Sequence, residues 1–240
     1  MVDWKTWHWD GLGWSMFGPL GKLLHLALGS AADEGFDEEL EEGAFYTQTR
    51  AGDFGLALMA LLPPVIKADQ QVSEPELDFV HYFFATTFGT EQAQDLMALL
   101  ENFLALDYSL KGVCQQIGQL MDHPSRLEMV YLLFGLAQAD LYVAPEEVTV
   151  IKELSGDMGV TQEEFDSMRA MFVEEEQAPY IVLDLAPEAS ESQVDQAYQQ
   201  MRDTHHPDKV AHLGEAFQRL ATKKLADIEK AYNQLKEERG

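Results

Sequence analysis

Cysteine is almost absent from this sequence, and basic side chains are scarce. A single cysteine, Cys114, excludes an internal disulfide and a cysteine-based zinc cluster, and its apolar helical surroundings predict a buried, unreactive thiol. A chain of this kind suits a reducing cytoplasm. Only 16 lysine and arginine residues stand against 42 acidic residues, giving a formal net charge of −26. Most of the surface would repel a phosphate backbone, so we expect no nucleic-acid binding.

The sequence also lacks an apolar run that reads as a transmembrane helix. All four tryptophans fall in the first 14 residues, and a Gly-rich apolar stretch follows them. A spanning helix needs about 20 mainly apolar residues, whereas this stretch contains Lys22 and His25. A secretory signal is not expected, because Asp3 and Asp10 stand where basic residues belong. We expect residues 1–30 to pack on the protein's own surface, with self-association through close glycine contacts or contact with a membrane interface as open alternatives.

Helical periodicity dominates the middle of the chain. Apolar residues recur at helical spacing with few β-branched runs, and proline, glycine and capping residues divide the stretch into about six or seven helices. One of the predicted breaks is Pro63-Pro64. The predicted fold class is all-α, a helical bundle followed by a small helical hairpin. The chain divides into a Gly- and Trp-rich segment at 1–32, an acidic linker at 33–44, a helical domain at 45–173, a second acidic linker at 174–178 and a C-terminal domain at 179–240.

One pattern occurs twice in the helical domain, at residues 67–80 and 138–151, with an offset of 71. Each copy ends a helix with Ala-Asp, turns, places a valine inward and starts the next helix with proline and acidic residues, which suit the positive end of the helix dipole. The repeat resembles the TerB-like domain, whose helical repeats carry an Ala-Asp-Gly, valine and glutamate signature. Gln70 and Leu141 stand where that family has glycine.

Four carboxylates of the repeat are the weak candidates for a metal site: Asp69, Glu76, Asp140 and Glu147. Hard cations need several oxygen ligands that converge on one point. Carboxylates at helix starts, however, are expected without any ligand. We therefore predict no metal in this domain.

A helical hairpin is predicted at the C-terminus. Ser190 and Gln193 form a capping box for its first helix, and Pro207 ends that helix because proline lacks an N–H. A long second helix begins after Gly214 and can pack antiparallel to the first. The predicted core of this unit consists of Tyr180, Leu183, Val194, Ala197, Tyr198, Met201, Phe217, Ile228, Ala231 and Tyr232.

The loop between the two helices carries the sequence His-His-Pro-Asp-Lys. An exposed carboxylate such as Asp208 can pair with an arginine on a partner, while Pro207 fixes the backbone and His206 offers a directed hydrogen bond. His205 is expected to matter less. Catalysis by His206 would need a nucleophile, a cleft and a third partner, and none is evident in this segment. A zinc site made of His205, His206 and His212 lacks the spacing that places ligands on one helix face. The sequence thus predicts a docking loop on a protein that is not an enzyme.

This segment resembles a DnaJ-type J domain. The resemblance rests on the tyrosine and leucine of the short first helix, on Ala-Tyr at 197–198, on His-Pro-Asp-Lys at 206–209 and on Ala-Tyr at 231–232. Together with the TerB-like part, nearly the whole chain resembles the DjlA-like co-chaperones. In that family the J domain stimulates ATP hydrolysis by a DnaK-type chaperone. The resemblance implies that the partner is bound by His206, Pro207, Asp208 and Lys209, with Arg202 nearby.

The resemblance implies no cofactor and leaves the client proteins unidentified. The chain lacks the zinc-binding cysteines and the Gly/Phe-rich linker of general-purpose DnaJ proteins, which favours a specialised client range. A cytoplasmic location is expected, with contact to the inner face of the cytoplasmic membrane left open. The alternative function is a membrane-linked or metal-responsive TerB-like adaptor whose J domain is weak or vestigial.

One feature departs from the J-domain pattern. The family's second helix usually presents a basic face to its partner, whereas this chain has Asp195, Gln196, Gln199 and Gln200 at those positions. We therefore expect weak electrostatic steering of the partner.

Overall fold

The computed structural model describes residues 18–28, 49–175 and 177–238, and these parts contain eleven α-helices, one 3₁₀ helix and no strand. The all-α prediction is confirmed. The helices are α1 Gly18–Leu28, α2 Ala51–Ile66, α3 Glu74–Phe88, α4 Thr90–Ala105, α5 Leu110–Leu120, α6 His123–Ala137, α7 Pro145–Asp157, α8 Gln162–Phe172, α9 Ala178–Val182, α10 Glu191–Thr204 and α11 Glu215–Glu237, with the 3₁₀ helix Pro207–Leu213 before α11. The tryptophan-rich start and the acidic linker at 33–44 lie outside the described residues, and the domain boundaries stay predictions.

The internal repeat extends over three helices in each copy. At the offset of 71, the first residues of α2, α3 and α4 match those of α6, α7 and α8 to within one position, and α5 connects the two copies. The second helix of each copy begins in the same way: the Glu76 carboxylate accepts a hydrogen bond from the Ser73 N–H at 2.8 Å, and the Glu147 carboxylate accepts one from the Ala144 N–H at 2.8 Å. Each glutamate thus satisfies an N–H that the helix start leaves without a partner.

Pro63 and Pro64 do not break a helix, contrary to the prediction. Both lie inside α2, which continues to Ile66. A proline in this position removes the hydrogen bond to the carbonyl four residues earlier. For Pro64 that carbonyl belongs to Ala60, and the Tyr108 hydroxyl donates to it at 2.8 Å. A side chain from the loop before α5 therefore replaces the missing donor, which the local sequence does not reveal.

Helix α1 packs on the chain itself. Its buried residues Leu20, Leu23, Leu24 and Ala27 belong to the main hydrophobic core, and its neighbours are α2, α4 and α5. The Leu20 N–H donates to the Gln116 side-chain oxygen at 2.8 Å. The described part of the N-terminal segment thus makes intramolecular contacts, while self-association or membrane contact through the preceding residues stays a prediction. Among the helices that the structure describes, none is long and apolar enough to cross a membrane.

Two hydrophobic clusters form the interior. The larger cluster joins α1–α8 and also takes in Val210, Leu213, Phe217 and Ala221 from the C-terminal segment. The smaller cluster joins α9, α10 and the second half of α11, with Ala170 at the end of α8. Helix α11 is therefore divided between the two cores. Cys114 lies buried in the larger one, and burial raises the pKa of its thiol to about 12, which keeps it protonated.

Candidate functional site

The hairpin of α10 and α11 forms as its local sequence predicts. The Ser190 hydroxyl accepts a hydrogen bond from the Gln193 N–H at 3.3 Å, and the Gln193 side chain accepts one from the Ser190 N–H at 2.8 Å, which confirms the capping box. Helix α10 ends at Thr204. Pro207 restricts the residue before it, and His206 accordingly has an extended backbone with φ −63° and ψ 136°.

Stacked tyrosines tie the two helices of the hairpin together. The rings of Tyr198 and Tyr232 lie 4.3 Å apart between centroids with an interplanar angle of 17°. The Tyr232 hydroxyl also donates to Asp195 at 2.9 Å. Nine of the ten predicted core residues lie in or against the smaller cluster: Tyr180, Leu183, Val194, Ala197, Tyr198, Met201, Ile228, Ala231 and Tyr232.

Phe217, the tenth, lies elsewhere, and its prediction as a hairpin core residue is wrong. Its ring packs edge-on against Phe54 of α2 at 4.5 Å and against Phe83 of α3 at 5.7 Å between centroids. The helical stripe that predicted burial of Phe217 is real, because the residue is fully buried. The spacing does not determine which part of the chain covers Phe217, and in the structure the upstream helical domain covers it.

The tip of the hairpin presents polar groups to solvent. The side chains of His206 and Asp208 are 48% and 82% exposed, and Arg202 and Lys209 are also exposed. The Asp208 N–H donates to His206 Nδ1 at 3.3 Å. His206 Nδ1 also lies 3.3 Å from the Asp208 carboxylate. In the tautomer that accepts the Asp208 N–H, the proton lies on Nε2, where it can be donated outward. Pro207 begins the 3₁₀ helix, and the Lys209 N–H donates to the His206 carbonyl at 2.9 Å.

The chemistry available at the tip is recognition. Asp208 offers an exposed carboxylate that can accept hydrogen bonds from a guanidinium, and His206 lies beside it with Nδ1 3.3 Å from that carboxylate. Lys209 and Arg202 add positive charge at the edge of the same loop. The arrangement of a fixed backbone with exposed, oppositely charged groups suits a docking contact.

Both ends of this exposed loop are buried, and sequence reasoning missed this. His205 immediately precedes it and Val210 follows it, and both are buried. Burial lowers the pKa of His205 to about 3, with repulsion from Lys224 and His123 adding to the effect. His205 is therefore a neutral, packed side chain, so its substitution would act through packing.

A buried ion pair joins α11 to α6. The Lys224 ammonium lies 2.5 Å from the Glu128 carboxylate, and their side chains are only 1% and 2% exposed. Burial raises the pKa of Glu128 and lowers the pKa of Lys224, while their mutual attraction opposes both shifts. One turn further along each helix, the Tyr131 hydroxyl donates to Asp227 at 2.7 Å.

A second polar contact lies at the start of α6. Asp122 is the N-cap of that helix and accepts hydrogen bonds from the N–H groups of Ser125 at 3.0 Å and Thr49 at 3.2 Å. His212, in the 3₁₀ helix after the docking loop, places Nε2 3.2 Å from the same carboxylate. Burial alone would raise the pKa of Asp122, but these hydrogen bonds and His212 outweigh it and hold the pKa below its ordinary value.

A signal for this interface is present in the sequence. The buried residues of α11 follow one helical stripe, and Lys224 is the single charged member: Phe217, Ala221, Lys224, Ile228, Ala231 and Leu235. A lysine on an apolar stripe predicts a buried charge, and a buried charge needs an acidic partner. That partner is Glu128, which lies 96 positions earlier in the chain. Which acid pairs with Lys224 therefore depends on the tertiary fold.

The four acidic candidates of the repeat lie near one another, and each accepts a hydrogen bond from a backbone N–H. Asp69 and Asp140 accept hydrogen bonds from N–H groups two residues later, at 2.8 and 3.2 Å. Glu76 closes a capping box with Ser73, and Glu147 accepts the N–H of Ala144, which has no side-chain acceptor to complete a box. Burial raises the pKa of Glu147 to about 7, and repulsion from Glu76, Asp69 and Asp140 adds to this. Within the described ranges, no group of three or more His, Cys, Asp or Glu side chains is arranged to hold a metal ion. The prediction that the domain holds no metal remains untested.

Comparison with known proteins identifies both parts of the chain. Residues 55–170 match the family of the tellurite resistance protein TerB, and residues 178–239 match the DnaJ domain. The order of these matches, TerB followed by a C-terminal DnaJ domain, is that of the DjlA-like architecture. It is similar to the co-chaperone protein DjlA of Shewanella oneidensis, with 36% identity over 63 residues, which are 25% of this chain and 24% of that protein. The chain therefore matches about a quarter of the length of this relative. No solved structure matches the chain.

Proposed function

We propose that the protein is a J-domain co-chaperone that docks on a DnaK-type chaperone through His206, Pro207, Asp208 and Lys209 and stimulates ATP hydrolysis by that partner. It performs no bond-making itself. The observation that carries this proposal is the exposure of Asp208 and His206 at the tip of a hairpin with a well-packed core. A partner can reach these side chains without disturbing the fold.

Each docking residue has a distinct role. Asp208 pairs with a guanidinium of the chaperone, and His206 presents Nε2 to the partner because both contacts that it makes with Asp208 are at Nδ1. Pro207 sets the direction of the loop. Arg202 and Lys209 supply the positive charge closest to the tip. The location we propose is the cytoplasm, where DnaK-type chaperones and ATP are available; contact with the membrane through the residues before α1 is a further proposal.

The test is single-turnover ATP hydrolysis by a purified DnaK-type chaperone in the presence of the full chain. His206→Gln and Asp208→Asn are expected to abolish stimulation with unchanged circular dichroism. Asp203→Asn is the matched control, because Asp203 is an exposed acid five residues before Asp208, at the end of α10. It should stimulate like the unchanged protein.

Full stimulation by a folded Asp208→Asn protein would refute the proposal. It would leave the alternative of a TerB-like adaptor with a vestigial J domain.

A further inference from the structure

The segment that follows the docking loop packs against the TerB domain. Both residues that flank it, His205 and Val210, are buried, and Val210 belongs to the larger cluster rather than to the core of the hairpin. The 3₁₀ helix that continues the loop packs on α6 and α11. The position of the loop relative to α10 is therefore set by contacts with α11 inside the J domain and with α6 outside it.

The contacts that hold this segment form a continuous clamp. At one end Phe217 inserts between Phe54 and Phe83, and at the other the Lys224 ammonium pairs with Glu128 of α6. These two clamp residues of α11 are seven positions apart, about two helical turns. The first half of α11 thus packs on the TerB domain.

The ion pair fixes the position of α11 along α6. An isolated charge in this interior is strongly disfavoured, so Lys224 and Glu128 can remain charged only when α11 meets α6 in this one position. The hydrogen bond from Tyr131 to Asp227, one turn away, also forms only when α11 meets α6 in this position. A shifted α11 would leave both pairs broken.

We propose that the TerB domain is a positioning platform for the docking loop, with Glu128, Tyr131 and Phe54 as positioning residues that act through α11. This inference rests on the proposed function. A loosened clamp lets the loop populate other conformations, and the chaperone then binds only the competent fraction. The concentration needed for half-maximal stimulation rises by the inverse of that fraction, while the maximal rate at saturation is kept.

Charge reversal tests the clamp in the full chain. Glu128→Lys and Lys224→Glu each bury two like charges, and the double variant restores an opposite pair. We expect each single variant to raise amide exchange of residues 205–221, and the half-stimulating concentration for a DnaK-type chaperone, by about tenfold or more. The double variant should recover both. Arg219→Glu is the matched control, because its pair with Glu215 on the same helix is exposed, and it should leave the exchange of residues 205–214 unchanged.

Tyr131→Phe is the milder second variant for the case that a single charge reversal fails to fold. It removes one hydroxyl from a buried ring that no partner can touch. We expect the same two quantities to rise by about threefold.

The inference is overturned if Tyr131→Phe and the reversals leave the exchange of residues 205–214 unchanged, or if exchange rises while the half-stimulating concentration stays constant. Absence of stimulation by the unchanged protein would instead refute the proposed function, and this inference with it.

Discussion

Gln70 and Leu141 occupy equivalent places in the two copies of the TerB repeat, and both have left-handed backbones, with φ of 65° and 73°. These are the two positions at which the TerB-like signature has glycine. Glycine adopts this conformation without steric cost, whereas a side chain with a Cβ is strained there. The departure of this chain from the family signature thus has a conformational consequence at both turns.

Leu141→Gly should stabilise the protein by about 0.5–1 kcal/mol, because relief of the left-handed strain exceeds the added entropy of the unfolded chain. No packing is lost, since Leu141 is 92% exposed. Urea unfolding of the two proteins measures the difference. Tyr142→Gly, at the exposed position next to it, has no positive φ to relieve and should not stabilise. An equal gain from both substitutions would contradict the strain argument.

The hydrogen bond from Tyr108 to the Ala60 carbonyl can be tested by a double-mutant cycle. Tyr108→Phe should destabilise the protein by about 1–2 kcal/mol, because it leaves a buried carbonyl without a donor. Pro64→Ala supplies an N–H to that carbonyl, so Tyr108→Phe should cost much less in its presence. Thermal unfolding of the four proteins gives the coupling. The same loss in both backgrounds would show that the hydroxyl does not replace the missing proline donor.

Glu147 should make stability depend on pH. Its pKa is raised to about 7 from an ordinary 4.5, so the stability it contributes is present below pH 4.5 and is lost as the pH rises through 7. Glu147→Gln keeps an oxygen that can accept from the Ala144 N–H and carries no charge. We expect this variant to be more stable than the parent by about 1–3 kcal/mol at pH 8, with the difference shrinking towards pH 4.5.

Urea unfolding of variant and parent at matched pH measures this difference and removes the contributions of other titrating groups, among them His205. Glu146→Gln is the control, since Glu146 is the exposed neighbour of the buried Glu147. A pH-independent gain from Glu147→Gln would show that the carboxyl is not titrating in this range.

Stimulation of the partner ATPase should depend weakly on salt. The exposed positions of α10 include Gln196, Gln199 and Gln200, and the carboxylate of Asp195 is engaged by Tyr232 and Lys236. We expect the half-stimulating concentration to change by less than about threefold between about 0.1 M and about 1 M salt, where screening shortens from about 10 Å to about 3 Å. Introducing Gln199→Lys with Gln200→Lys should steepen this dependence. A steep dependence in the unchanged protein would contradict weak steering.

Local sequence was sufficient for the hairpin and for most of its tip. Capping residues act on N–H groups two or three positions away, and proline acts on its own neighbours, so Ser190 and Pro207 could be interpreted without a fold. Periodicity likewise identified the apolar stripe of α10 that includes Val194 and the apolar stripe of α11 that includes Ile228. These effects depend on near neighbours in the chain, which is why they predict the helices and the exposure of His206 and Asp208.

Only the tertiary structure decided what covers each apolar stripe. The burial of Phe217 is encoded by its spacing, but its contact with Phe54 depends on how α11 meets α2. Lys224 on the same stripe required an acidic partner, yet several acids could have served, and the choice of Glu128 follows from the packing of two helices that are distant in sequence. Hydrophobic burial is non-directional, so a sequence determines which faces are removed from water, and the unique packing of the whole chain determines against what.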